Sequence, residues 1–317
     1  MNTALRPMST AEVLDRTFNL YRNHFLLFSG IAISQVVCVL IGILLLIPMG
    51  AVIPLSSLDS LDPVTVLETF GVYSTVIFIF SMIGYAVALG STIFAVSRVH
   101  LGQAATITDS FMELAPAGVR VLRILMSVTL RCVGAVVLTY ALVVGLIRAV
   151  ARPMEFAPSI VRWIGAIFFL GVFVAGMVWA ARIFCRYSLA VPACLLEKLP
   201  ARRALTRSNW LSKSALGRIF LVFLLMSILA TGLTYVFQIP VFFLPLRDTS
   251  VVLTVCQLTA MFIALMLSVP IGTISVCLLY YDQRVRKEAF DLQLMMEAVS
   301  HPPQAPATAA PVDRGSF

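Results

Sequence analysis

Charge is scarce in this sequence of 317 residues: Asp, Glu, Lys and Arg together make up 12%, about half of what soluble domains carry. Histidine occurs three times, at His24, His100 and His301, and the six cysteines (Cys38, Cys132, Cys185, Cys194, Cys256, Cys277) include no C-x-x-C pair. A disulfide framework and a Cys/His metal cage are therefore not expected. G-x-x-x-x-G-K-[ST], G-x-G-x-x-G, G-x-S-x-G and H-E-x-x-H do not occur, so no local motif announces nucleotide binding, serine hydrolysis or zinc proteolysis. Catalytic constellations built from distant positions stay open.

What is present is apolar. Hydrophobic residues reach 60% and the mean hydropathy is +0.98, which points to lipid as the solvent. A hydrocarbon core about 30 Å thick takes roughly 20 apolar residues per helical span. Six stretches qualify: 26–49, 71–97, 124–147, 163–184, 219–240 and 251–279. The third carries Arg131, while none of the 15 acids falls inside a span. Helices satisfy every backbone group within one segment, so the fold class expected is an all-α polytopic integral membrane protein. Residues 1–300 form one membrane domain and 301–317 a disordered tail. Charges before the first span and the lack of a cleavage site speak against a signal peptide.

Orientation follows from Lys and Arg. Arg6, Arg16 and Arg22 precede span one, and Arg98, Arg120 and Arg123 separate spans two and three. Arg182 ends span four, Arg186, Lys198, Arg202, Arg203, Arg207, Lys213 and Arg218 separate it from span five, and Arg284, Arg286, Lys287 and Arg314 follow span six. These are eighteen of the 23 basic residues, all on one side. Both termini are therefore expected in the cytoplasm. Arg148, Arg152 and Arg162, between spans three and four, run against the rule.

Amphipathic segments lie between the spans, at about 9–24, 106–118, 200–214 and 284–299. In "STAEVLDRTFNLYRNHF", Ser9 and Glu12 form a capping box, and Leu14, Phe18, Tyr21 and Phe25 make one apolar stripe. Pro116 breaks the second segment, and Pro200 suits the first turn of the third. The starts near 9, 106 and 200 are evenly spaced, which fits either three copies of an interfacial helix followed by a transmembrane hairpin or coincidence. Small residues four apart (Gly84 with Ala88, Ala86 with Gly90, Gly171 with Ala175, Gly176 with Ala180) suit close helix packing. Polar groups such as Gln35, Gln257, Thr139 and Tyr140 serve as interhelical glue or line a pathway.

The segments "LDRTFNLYRNHF", "PACLLEKLPARRALTRSNWLSK" and "YYDQRVRKEAFDLQL" resemble polytopic bacterial membrane proteins grouped with the membrane domain of glycerophosphoryl diester phosphodiesterases. The resemblance implies about six helices in the bacterial cytoplasmic membrane. Some relatives carry a fused soluble phosphodiesterase, for which no residues remain here, so that activity is not carried over. No catalytic, cofactor or metal residue is assigned.

Arg131 is a functional candidate as an ionisable group in a span. The alternative is snorkelling, since it lies about 10 Å past the span's basic end at 1.5 Å per residue. With Arg202, Arg203, Arg207, Arg284, Arg286 and Lys287 it forms the set of candidate contacts for an anionic lipid or ligand. The expected partners are the bilayer, its anionic head groups and other membrane proteins, with no nucleic acid and no cofactor. The function the sequence favours is a non-catalytic organiser of lipids or partners, because nothing in it demands the alternatives, a transporter with an uncharged pathway or an embedded enzyme acting on lipid head groups. Tyr280 and Tyr281 are expected in the head-group belt. Beyond them Val285, Ala289, Leu292, Met296 and Val299 predict a helix that ends before Pro302, with Arg284–Glu288 and Lys287–Asp291 on its polar face and its stripe either laid along the membrane surface or docked on the protein's own cytoplasmic helices.

Overall fold

A computed structural model of the chain describes residues 8–46, 63–100, 102–155, 159–242 and 251–288, together with Met296. The described residues are helical throughout apart from short connections. The order is α1 (Thr10–Asn23), α2 (Phe25–Leu46), α3 (Pro63–His100), α4 (Ile107–Leu114), α5 (Gly118–Glu155), α6 (Ser159–Tyr187), α7 (Ala190–Leu196), α8 (Ala201–Ser212), α9 (Leu216–Phe242) and α10 (Val251–Glu288). Six of these, α2, α3, α5, α6, α9 and α10, are long and apolar enough to cross a membrane, as the six apolar runs predict. The protein is a multi-pass membrane protein.

Local chemistry sets the ends of the short helices. The Ser9 hydroxyl accepts the Glu12 N–H at 3.2 Å while the Glu12 carboxylate accepts the Ser9 N–H at 3.4 Å, so the predicted capping box starts α1. Thr106 caps α4 by accepting the Asp109 N–H at 3.2 Å. Pro116 then separates α4 from α5. Pro200 is the N-cap of α8 rather than part of its first turn. The structure adds one element that hydropathy hides: α7, apolar and buried along most of its length, which reads in sequence as an extension of span four.

The long helices pair as α2 with α3, α5 with α6, and α9 with α10, each pair preceded by a short helix, α1, α4 or α8. The helix-plus-hairpin unit therefore occurs three times. Most of the burial falls on α10, which touches α1, α2, α3, α7, α8 and α9. By contrast α5 and α6 show apolar side chains outward, with Trp163 71% exposed; Leu26 at the start of α2 is 82% exposed. Such a surface aggregates in water and is wetted by acyl chains in a bilayer.

Close approach of backbones holds the first hairpin. A Cβ added to Gly84 would lie 2.8 Å from the Cα of Gln35 in α2, so only glycine fits there. Gly176 meets the Thr139 side chain in the same way, whereas Gly171 faces open space. Of the predicted small-residue pairs, those at Gly84 and Gly176 pack within the chain and Gly171 does not.

Two sequence expectations need correction. The stripe on α1 is split: Val13, Thr17 and Tyr21 are buried, with Tyr21 sharing a hydrogen bond with Ser29 at 3.3 Å, while Phe18 and Phe25 point outward. An interfacial helix has two apolar neighbours, protein and lipid, and residues of one stripe divide between them. The second correction concerns α10, which runs as one helix to Glu288 instead of giving way to a separate helix from Arg284. The short helices α1, α7 and α8 pack against α10, and Val285, the first residue of the stripe, is buried by protein. The surface stripe from Ala289 onward, Asp291 and the tail lie outside the described residues, except for Met296, which is helical and exposed.

Candidate functional site

The short helices all lie at the end of the bundle where α3, α6 and α10 finish and α5 and α9 begin. Each is fastened there by charge. Arg98 near the end of α3 pairs with Asp109 at 3.1 Å and with Glu113, both on α4. The other two fastenings converge on α10.

The first centres on Asp282, whose side chain is 0% exposed. It accepts the Met8 N–H at 2.7 Å and pairs with Arg218 of α9 at 2.8 Å and Arg286 at 3.0 Å. Arg218 and Arg286 both donate in turn to the Met8 carbonyl, Arg286 at 2.7 Å. Both polar groups of Met8 are thus gripped by α9 and α10. A buried carboxylate is tolerated because two guanidinium groups and an N–H replace its water.

The second links α7, α8 and α10. Glu197 closes α7, and its Oε1 accepts the Tyr280 hydroxyl at 2.6 Å and the Arg207 Nε at 3.2 Å. Arg207 reaches on to Glu288, which also pairs with Arg284 at 3.1 Å. The Trp210 ring lies under Arg207 (5.1 Å) and Lys287 (4.9 Å), and Lys287 donates to the Trp210 carbonyl. Burial alone would lower the Arg207 pKa; the hydrogen bonds and negative charges of Glu288 and Glu197 outweigh it and raise the value.

These contacts relocate several expected lipid-facing groups. Tyr280 is 0% exposed, and Tyr281 is half-buried with its ring stacked on His100 at 5.5 Å. Tyr280 thus faces protein instead of head groups, because α1, α7 and α8 pack against α10. Arg207, Arg284, Arg286 and Lys287 all have partners inside the protein, and the expected Arg284–Glu288 pair is present. Arg202 and Arg203 are exposed on α8. Arg131 is exposed on α5, its guanidinium 4.9 Å from the Tyr187 ring centroid at the end of α6.

Asp282 and Glu197 were not singled out by sequence reasoning. A signal was available: two acids flank the basic clusters in "CLLEKLP" and "YYDQRVRK", where each would sit unpaired at a membrane boundary unless an arginine reached it.

The polar residues weighed as a pathway do not meet. Gln35 is buried in the first hairpin, Thr139 donates to the carbonyl of Ala135 in its own helix at 2.8 Å, and Tyr140 and Gln257 face outward. Among the described residues no group of three or more His, Cys, Asp or Glu is arranged to hold a metal ion. All six cysteines are free.

After internal pairing the basic end keeps a surplus. Arg120, Arg123, Arg182, Arg186, Arg202 and Arg203 have no carboxylate partner among the described residues. That surface can attract anions. Compared with protein-family models, curated proteins and solved structures, the chain matches none.

Proposed function

We propose that this chain is a non-catalytic protein of the bacterial cytoplasmic membrane that gathers anionic lipid head groups, and proteins that carry them, at its basic end. In this reading both termini are cytoplasmic, and the chain is akin to the membrane domain of glycerophosphoryl diester phosphodiesterases without their hydrolytic activity. The observation that carries it is the imbalance of charge at one end of the bundle. Glu113, Glu197, Asp282 and Glu288 are engaged by arginines of the protein, while Arg120, Arg123, Arg182, Arg186, Arg202 and Arg203 are not. Basic residues near an anionic leaflet each contribute about 1 kcal/mol, so six unpaired arginines favour that leaflet strongly. The excess also follows the rule that basic segments stay in the cytoplasm.

The test is extraction of the protein with its surrounding lipid into native nanodiscs, followed by lipid analysis. Phosphatidylglycerol and cardiolipin should be enriched over the source membrane, and less so after a high-salt wash. Lipid of unchanged composition would refute the proposal.

A further inference from the structure

A groove runs between α6 and α9 at the basic end. It has a volume of about 660 Å³ and is lined by Val174, Met177 and Ala181 of α6 and by Leu216, Gly217 and Phe220 of α9, among others. Among the described residues its one charged lining residue is Arg182. Next to it Trp179, Arg182 and Arg186 line a second opening of about 410 Å³. We propose that these two form one site for a single anionic phospholipid, with the phosphate between Arg182 and Arg186 and one acyl chain along the groove.

Dimension and charge both fit this occupant. The volume falls in the ligand-sized range of about 300–1,000 Å³. From Val174 to Arg182 the helix rises about 12 Å at 1.5 Å per residue, close to the roughly 15 Å of one leaflet's hydrocarbon. An acyl chain that fills the groove therefore leaves its phosphate level with Arg182. Gly217 borders open space, since a Cβ there would meet nothing within 4 Å, so a larger side chain can be placed there without displacing a neighbour.

Arg182 and Arg186 are exposed, stand one helical turn apart, and have no carboxylate partner among the described residues. Like charges at that spacing repel. A phosphate removes the repulsion and accepts two guanidinium groups at once. The exposed Trp179 ring, one turn before Arg182, has the amphipathic character found at head-group depth. A zwitterionic lipid returns a cation to the same place and fits less well.

This site deepens the proposed affinity for anionic lipid and rests on it. The full chain is placed in nanodiscs of phosphatidylglycerol and phosphatidylethanolamine, and the lipid that survives release is counted by native mass spectrometry. One phosphatidylglycerol per chain is expected to persist. Arg182→Gln with Arg186→Gln should lower the retained fraction at least tenfold, and so should Gly217→Leu, which fills the groove and leaves both arginines. Arg148→Gln, an exposed arginine towards the other end of α5, should not. As a check free of folding effects, brominated phosphatidylglycerol should quench Trp179, read against Trp179→Phe, at a lower mole fraction than brominated phosphatidylethanolamine. Retention unaffected by either groove variant, or equal quenching by the two lipids, overturns the site. General enrichment of anionic lipid without one tightly held molecule overturns the site alone. A tightly held molecule without general enrichment supports the site and refutes the broader reading.

Discussion

Tyr280 and Glu197 are 83 residues apart in sequence, yet the tyrosine hydroxyl donates to the glutamate Oε1 at 2.6 Å. This bond ties the most buried membrane helix to the turn between α7 and α8, and it places a carboxylate that Arg207 then holds from the other side.

Tyr280→Phe should therefore lower stability by about 1.5–3 kcal/mol, the range for a hydrogen bond to a charged group. Thermal unfolding in a fixed detergent measures it. A wild-type melting temperature would show that the bond contributes nothing.

Asp282→Ala leaves Arg218, whose side chain is 18% exposed, and the more exposed Arg286 without the buried carboxylate they share. Breaking such a pair from one side costs about 3–5 kcal/mol. The double variant Asp282→Leu with Arg218→Met removes the buried charge and the more buried of its two arginine partners, leaves Arg286, 38% exposed, to solvent, and should recover much of the loss. A double variant as unstable as the single one would contradict the ion-pair account.

Gly84→Leu drives a side chain into the backbone at Gln35 and should destabilise the first hairpin by about 1–3 kcal/mol, as overpacking does. Gly171→Leu, in open space, should change stability little. The two variants have the same chemistry, so equal effects would discredit the close-packing explanation.

Orientation can be read with reporter fusions after Asp62, Glu155 and Arg247. Periplasmic signals are expected at all three, with both termini cytoplasmic. A cytoplasmic signal at Asp62 would invert the proposed topology and move the free arginines to the outer leaflet.

The spans, the capping box of α1 and the even spacing of the three units could be read from the chain because each depends on neighbours within a few turns. Hydropathy needs only length, and Ser9 with Glu12 needs only three residues. The fates of Tyr280, Arg286 and Lys287 could not be read that way. An amphipathic ring or a lysine at the end of an apolar run looks the same whether lipid or protein lies beyond it. What lies beyond α10 is a roof of short helices contributed from residues far away. Asp282 escaped notice for the same reason: its partners Met8 and Arg218 are near only in space.

The grip on Met8 also orders events in time. Met8 and Asp282 are 274 residues apart, and synthesis proceeds from the N-terminus at about 5–20 residues per second. Roughly 14–55 s therefore pass between the two residues joining the chain. During that interval α1 waits beside the membrane without its final fastening. Once made, Arg218 likewise has no Asp282 until the last helix arrives. Closure of this end consequently waits for Asp282 to be synthesised, and a nascent chain halted before it has Arg218 without that carboxylate.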